Sequence, residues 1–150
     1  MDEKKQYHHG DLKNLLIGKV LEAVKKNDLE NFSTREAARV LSVSPAAPYN
    51  HFEDKQSLIL SSILFCKNEF TNYLKNKILF NELKENKKLS IIGKYYLQYA
   101  YDNPEIFIFM FSQTLTHKDR INNYDEFHKL FLNAIEESFS LEDLRKRVSI

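Results

Sequence analysis

The chain has 150 residues, and its 22 basic and 21 acidic side chains leave a net charge of +1. A single cysteine excludes an internal disulfide framework, and no apolar run reaches the roughly 20 residues that a membrane helix needs. Three glycines, three prolines and abundant Leu, Ile, Lys, Asn and Glu favour helix over sheet. We therefore expect an all-α, soluble protein. We expect it in the cytoplasm, because the cysteine usage fits a reducing compartment and the first residues lack a signal peptide's apolar core.

Two helices are predicted before the first tight turn. The first runs from the cap Asp11 to about Lys26, because its apolar side chains recur at helical spacing. The second begins at Ser33, which forms a capping box with Glu36 three residues later. The two alanines at 37–38 are small enough to let two helices cross closely, as a helix-turn-helix requires.

A short third helix is predicted after a turn at residues 42–43. Ser44 is a suitable cap and Pro45 is tolerated at the first helical position. Pro48 lacks the N–H of the first intrahelical bond and disfavours helical geometry in the residue before it. The helix should therefore be short and partly 3₁₀, and it should end near residues 51–52.

The rest of the chain also reads as helix. The six apolar residues at 106–111 would suit a buried strand as well, but no partner strand is predicted, so a helix buried on most sides is favoured. Polar breaks are expected at 86–88 and 116–123. The predicted helices are 54–77 with Asp54 as its cap, 89–101, 105–115 and 124–139.

The third predicted helix carries the side chains that a DNA-reading helix needs. A helix in the major groove keeps its outer face small or polar, so that its backbone can approach the bases. Asn50 can pair with an adenine edge, and Tyr49 can reach a phosphate or a thymine methyl. Thr34 and Arg35 offer backbone N–H groups and a cation to a phosphate, and Lys55 can clamp a neighbouring one. The predicted DNA contacts are Thr34, Arg35, Ser44, Ala46, Ala47, Tyr49, Asn50, His51 and Lys55.

Each of these residues has an ordinary structural alternative. Tyr49 can be a half-buried packing residue, Asn50 a merely solvated side chain, and Lys55 an ordinary lysine at a helix start. Residues 1–60 also hold nine basic and nine acidic side chains, whereas DNA-binding domains are usually basic. The hypothesis therefore depends on the spacing of the whole set, and it predicts few phosphate contacts.

Part of the sequence resembles the DNA-binding domain of TetR-like transcriptional regulators. The resemblance lies in three segments, 7–12, 33–38 and 43–52, and in Asp54 and Lys55, which follow the last of them. The ordered combination is specific, and it covers somewhat more than a third of the chain. The Ala-Ala-Pro-Tyr sequence within it is similar to one subgroup of that family. One departure is a serine at position 42, where the family usually has glycine, so that the turn there should be slightly strained.

The resemblance implies a two-part protein. A three-helix DNA-binding head would cover residues 9–69, with the helix-turn-helix at about 33–52, and a helical effector-binding and dimerisation body would cover 70–150. The implied function is that of a ligand-responsive repressor that binds a palindromic double-stranded DNA operator as a homodimer. An effector bound in the body would change the spacing of the two heads.

An effector pocket in the body would take a flat or apolar ligand. Its predicted lining is Tyr95, Tyr99, Phe107, Met110 and Phe111. The alternative is that these side chains simply form a core, as aromatic residues at helical spacing usually do. Family members commonly have further long helices, whereas only 141–150 follow the helix at 124–139 here, so we expect either a naturally short protein or a truncated chain. Dimerisation would then use the helix at 124–139, or it would fail.

Other functions are less well supported by the sequence. No catalytic triad, carboxylate pair or glycine-rich phosphate loop occurs at meaningful spacing, so we do not expect an enzyme. No cofactor or metal is expected either, because His8 and His9 have no Cys or His partner at ligand spacing. The second hypothesis is an interaction protein, namely a regulator-like fold that has lost DNA binding.

Overall fold

The computed structural model describes residues 12–80, 88–112 and 126–138. These ranges contain helices and no strand, which confirms the predicted all-α class. None of the helices that the described ranges contain is both long and apolar enough to cross a membrane. The helices are α1 (Leu12–Lys25), α2 (Thr34–Val40), a 3₁₀ helix (Ala47–Asn50), α3 (Lys55–Phe80), α4 (Lys88–Asp102), α5 (Pro104–Phe111) and α6 (Glu126–Ser138).

The chain divides into two compact units, of which unit 1 ends at Leu64 and unit 2 begins at Phe65. Helix α3 contributes residues to both units. Several predicted features lie outside the described residues. These are the cap Asp11, the pair at 8–9, positions 86–87 of the polar break, positions 113–115, the loop at 116–123, positions 124, 125 and 139 of the predicted last helix, and the segment 141–150.

Unit 1 packs its helices through small and branched apolar side chains. Helix α1 contacts α2, and the 3₁₀ helix contacts both of them. Leu16 and Val20 of α1, Ala38 of α2, and Leu58 and Ile63 of α3 are all fully buried. Leu16 and Val20 are four residues apart and therefore share one face of α1, as the sequence pattern predicted.

Helix α1 ends one residue before the predicted Lys26, in a left-handed turn. Asn27 has a φ of 53°, a conformation that asparagine adopts more readily than most residues. Its N–H bonds the carbonyl of Val24, and the N–H of Asp28 bonds the carbonyl of Ala23, both at 2.9 Å. These two bonds satisfy carbonyls that the helix end would leave unpaired.

Unit 2 is built around an aromatic cluster that we define by Phe70 and the rings nearest to it. Phe70 of α3 is fully buried. Its ring centroid lies 4.7 Å from Tyr99 and 5.7 Å from Tyr96 of α4, 6.1 Å from Phe107 of α5, and 5.5 Å from Phe127 of α6. Helices α3, α4, α5 and α6 thus meet at one side chain, with the tilted and edge-on geometries that aromatic pairs prefer.

Helix α5 confirms the prediction of a helix over a strand, but the predicted end at residue 115 is wrong. The helix ends at Phe111, because Ser112 has an extended conformation with a ψ of 141°. The Ser112 N–H and hydroxyl both bond the carbonyl of Phe109, at 3.2 and 2.9 Å, and so close the last turn.

An ion pair links α3 to α6 within unit 2. The Lys75 ammonium lies 3.0 Å from a carboxylate oxygen of Glu126, and Lys129 approaches the other oxygen at 3.4 Å. The hydrogen bond from Lys75, followed by that from Lys129, holds the pKa of Glu126 below its ordinary value. These side chains are largely solvated, so the pair orients α6 more than it stabilises the unit.

Candidate nucleic-acid interface

The start of α2 is capped by a serine, as the sequence predicted. Ser33 has extended backbone geometry, and its hydroxyl accepts a hydrogen bond from the N–H of Glu36 at 3.3 Å. The predicted return bond from the Glu36 side chain to Ser33 is not the bond that forms. The Glu36 carboxylate instead accepts two hydrogen bonds from Arg39, one turn along the helix.

A left-handed serine ends α2 and directs the chain into the turn. Ser42 has a φ of 57°, which strains a residue with a side chain. Its N–H bonds the carbonyl of Arg39, and the N–H of Val43 bonds the carbonyl of Ala38, both at 3.0 Å. This pair of bonds is a Schellman motif, in which glycine is the usual left-handed residue. The strain predicted at Ser42 is therefore confirmed.

The segment after the turn forms a 3₁₀ helix, as predicted, but it begins later than predicted. Its N–H groups bond carbonyls three residues back, namely Ala47 to Ser44, Tyr49 to Ala46 and His51 to Pro48. The predicted start with Ser44 as cap and Pro45 first is wrong, because the helix begins at Ala47. An α-helix starting at Pro45 would need its first bond from the N–H that Pro48 lacks.

The 3₁₀ helix has a buried side and an exposed side. Pro48 and Phe52 are buried and hold it against the rest of unit 1. Tyr49 is 50% exposed. Half of its side chain therefore packs against the protein and the other half is open to solvent. The other predicted base-reading side chains are exposed, with Ala47 intermediate: Ser44, Ala46, Ala47, Asn50 and His51.

One cation of this region is neutralised by its own helix. The Arg39 guanidinium donates to both carboxylate oxygens of Glu36, at 2.6 and 2.8 Å. This hydrogen bonding keeps the pKa of Glu36 below its ordinary value and raises that of Arg39. This pair is not among the predicted DNA contacts, although acidic and basic residues three apart on a helix are its usual signal in a sequence. Arg35 is exposed at the start of the same helix.

Lys55 begins α3, where Asp54 caps the helix as predicted. The Ser57 N–H donates to the Asp54 carboxylate at 2.7 Å, and the Asp54 N–H donates to the Ser57 hydroxyl at 3.1 Å. The Lys55 ammonium donates to the carbonyl of Glu30 at 3.3 Å and lies 5.9 Å from the ring centroid of Phe32. This lysine therefore contacts the connection between α1 and α2.

Thr34 is buried, unlike the other predicted contacts. Its hydroxyl has no hydrogen-bond partner among the described residues. The first hydrogen bond of α2 joins the Ala37 N–H to the Ser33 carbonyl. The backbone N–H groups of Thr34 and Arg35 precede that bond and have no acceptor within the helix. Because the Thr34 side chain is buried, a contact of this residue with a ligand would have to use its backbone N–H.

Of the five predicted effector residues only Met110 is buried, three are partly buried and Phe111 is 44% exposed. Tyr99 and Phe107 lie in the aromatic cluster, Tyr95 stacks edge-on with Tyr73 at 6.2 Å, and Met110 is fully buried. Burial raises the pKa of Tyr99. A cavity of about 640 Å³ in this unit has a different lining: Gly93, Tyr96, Leu97, Phe127, His128, Phe131 and Leu132.

The arrangement in unit 1 has the element order of a helix-turn-helix protein. A serine-capped helix leads through a left-handed turn to a short helix whose outer side chains are small or polar and solvated.

The chain is similar to the biofilm operon icaADBC HTH-type negative transcriptional regulator IcaR of Staphylococcus aureus, for example in strains Newman, COL and N315. The identity is 22% over 102 residues, which are 68% of this chain and 53% of the relative. The chain thus spans about half the length of the curated relatives it matches. No family model matches the sequence. No solved structure matches it either.

Proposed function

We propose that the protein is a TetR-like, DNA-binding transcriptional regulator, a ligand-responsive repressor that binds a palindromic operator as a homodimer. The observation that carries the proposal is the solvated outer side of the 3₁₀ helix, with Ala46, Tyr49 and Asn50 exposed. The similarity to a regulator whose name gives it a helix-turn-helix and a negative role supports the same reading. It also supports a role other than catalysis.

In this proposal the 3₁₀ helix reads bases. Ala46 has too little side chain to keep the backbone away from the floor of the major groove. The Asn50 amide offers one donor and one acceptor, which match the N7 and N6 groups of adenine. Tyr49 presents a ring to a thymine methyl and a hydroxyl to a phosphate. Because Pro48 is buried beneath them, these side chains are held by a rigid support.

Phosphates would be bound on both sides of the 3₁₀ helix. At the start of α2, the N–H groups of Thr34 and Arg35 and the Arg35 cation would bind one phosphate. At the start of α3, the Lys55 ammonium would exchange its bond to the Glu30 carbonyl for a bond to another phosphate. That exchange costs little free energy, because the existing hydrogen bond is long and solvated.

Regulation would act on the spacing of two heads. Successive major grooves on one face of DNA are about 34 Å apart, so a small change in spacing breaks the register. Helix α3 has residues in both units, and we propose that Leu58, Ile59 and Ile63 transmit the change. The effector would be apolar or aromatic, and it would bind beside the aromatic cluster at Phe111, which is exposed and whose ring centroid lies 5.0 Å from that of Phe107.

The alternative is an interaction protein that no longer binds DNA. The observation in its favour is charge, since residues 1–60 are neutral overall and Glu36 neutralises Arg39. A DNA-binding surface that keeps few unneutralised cations gains little from counterion release.

A gel-shift titration against DNA from upstream of the protein's own gene separates the two functions. We expect a specific shift at submicromolar protein and 50 mM salt. Asn50→Ala should weaken it by roughly 1–3 kcal/mol, about 5- to 150-fold in the dissociation constant, because one base contact is lost. Asn72→Ala, an exposed asparagine of α3 in unit 2, is the matched control and should bind like the unmodified chain.

The two functions differ in their outcome. A shift that weakens with salt and with Asn50→Ala supports the regulator. No salt-dependent shift at micromolar protein would leave the interaction protein as the better account.

A further inference from the structure

Helix α2 carries two exposed arginines on one face. Arg35 and Arg39 are four residues apart, so they lie one above the other along the helix. Side chains on a helix lean towards its N-terminus, and the Arg39 guanidinium reaches back to the first turn of α2. This is the turn in which Arg35 is proposed to bind a phosphate. By its position alone, Arg39 would be a second cation for the DNA backbone.

Glu36 occupies that cation in the same turn. Its carboxylate oxygens accept hydrogen bonds from the Arg39 guanidinium at 2.6 and 2.8 Å. The side chain of Arg39 is 74% exposed and that of Glu36 is 56% exposed. A solvated pair of this kind adds little to stability, so the stability of unit 1 does not account for it.

The pair brings no net charge to a phosphate. Arg39 can turn from Glu36 to a DNA phosphate, because a solvated ion pair is weak. The carboxylate then stays in the same turn without its partner and repels that phosphate. Hydrogen bonding to Arg39 also keeps the pKa of Glu36 below its ordinary value, so the carboxylate is charged near neutral pH. In either arrangement one of the two arginine charges is cancelled.

The loss of one cation matters most on DNA of unrelated sequence. Binding to such DNA is essentially electrostatic, so one more phosphate contact raises its affinity directly. The protein can also shift along that duplex until an additional cation meets a phosphate. On the operator, the base contacts of the 3₁₀ helix would fix the register, so a freed Arg39 would gain less. One carboxylate can therefore set how strongly the protein prefers its operator.

We propose that Glu36 is a specificity-determining residue, which holds back binding to DNA of unrelated sequence by cancelling the charge of Arg39. The inference rests on the proposed function, because it takes the start of α2 as a phosphate-contacting segment. It adds to that function a residue that acts against binding. The preference for the operator then depends on this carboxylate as well as on the base-reading side chains.

Salt titrations of DNA affinity test the role of the carboxylate. The full chain is bound to two duplexes of equal length, namely DNA from upstream of its gene and a scrambled version of that DNA. Glu36→Gln keeps the backbone N–H that Ser33 caps, so circular dichroism should show an intact fold. Scrambled DNA should bind roughly fivefold to tenfold more tightly at about 0.1 M salt, with a slope of log affinity against log salt steeper by roughly 0.9. The upstream duplex should gain less, so the ratio of the two affinities should fall.

Two further variants separate Arg39 from net charge. Glu69→Gln makes the same change in net charge at an exposed glutamate of α3 in unit 2. It should leave both the salt slope and the affinity ratio unchanged. The double variant Glu36→Gln with Arg39→Gln frees no cation, so its affinity for scrambled DNA should return to within about twofold of that of the unmodified chain.

Four results would overturn the inference. These are an unchanged salt slope in Glu36→Gln, the same change in Glu69→Gln, a slope that stays steep in the double variant, and an equal gain on both duplexes. The proposed function is tested separately by the unmodified chain. Equal affinity of that chain for the two duplexes would contradict the regulator, whereas a clear preference that Glu36→Gln leaves intact would contradict this inference alone.

Discussion

Ser42 shows how one residue can keep an unfavourable conformation because its neighbours require it. The Schellman bonds at the end of α2 need a left-handed residue there, and glycine would supply it without a clash. Resemblance to a family with glycine at this position predicted the strain. The sequence alone could not have predicted it, since serine has no special turn preference of this kind.

Ser42→Gly should raise the free energy of unfolding by roughly 0.5–1 kcal/mol, because relief of the left-handed strain exceeds the added backbone entropy. Urea denaturation measures the change. Asn27→Gly is the matched control, since Asn27 has a similar φ but tolerates it better, and its gain should be smaller. Equal or lower stability for Ser42→Gly would show that the serine side chain stabilises the turn.

Thr34 carries a buried hydroxyl that has no partner among the described residues. An unpaired buried hydroxyl costs roughly 1–3 kcal/mol, so Thr34→Val, which keeps the shape, should stabilise the protein by about 1 kcal/mol. Thr71→Val is the matched control. The Thr71 hydroxyl is also buried but donates to the Lys67 carbonyl at 2.8 Å, so its loss should not stabilise. A destabilised Thr34→Val in thermal unfolding would imply a partner for the hydroxyl.

At the scale of elements, the sequence predicted the helices well and their contacts poorly. The helical spacing of apolar residues and the capping residues located α2 and α4, and Pro48 predicted a 3₁₀ helix. The predicted start of that helix was wrong, because the start depends on which carbonyl accepts the hydrogen bond of each backbone N–H. The candidate pocket residues are a second case. Helical spacing identifies an apolar face, but only packing decides whether Tyr99 and Phe107 meet Phe70 or line an opening.

The aromatic cluster should dominate the stability of unit 2. Phe70→Ala should cost about 3–5 kcal/mol, because it leaves a cavity where four other rings converge. Phe65→Ala is the control on the same helix, and its ring is 39% exposed, so its effect should be much smaller. Similar losses for the two variants in urea denaturation would contradict the central position of Phe70.

The link between α3 and α6 should depend on pH. The pKa of Glu126 is below its ordinary value of 4.5, so its contribution to stability is present above pH 4.5. It is lost as the pH falls through the lowered pKa of the folded state. The protection factors of amides in α6, which are corrected for the intrinsic exchange rate, should therefore decrease at low pH, and Lys75→Met should largely remove this pH dependence. Exchange that accelerates instead on raising the pH above neutrality, beyond the intrinsic rate, would contradict the sign.

At the scale of the whole molecule, the even charge distribution limits how the protein can bind DNA. Each neutralised phosphate contributes roughly −0.9 to the slope of log affinity against log salt concentration. The few cations near the 3₁₀ helix therefore predict a shallow overall slope. Recognition would then depend on base contacts more than on charge. The sequence predicted this balance directly, since charge counts need no structure. The spacing of Glu36 and Arg39 signals a helical ion pair, but only the structure shows that both hydrogen bonds form and so remove Arg39 from the cations available to DNA.

The most direct test of the central claim is chemical-shift mapping by NMR, with DNA from upstream of the gene added to the labelled chain. We expect the largest changes at residues 33–35 and 44–51, and we expect Tyr49→Ala to reduce affinity by roughly 1–3 kcal/mol while the melting temperature stays nearly unchanged. Changes confined to unit 2 would show that the outer side of the 3₁₀ helix does not read DNA, and an unfolded Tyr49→Ala variant would show that Tyr49 is a packing residue instead of a DNA contact.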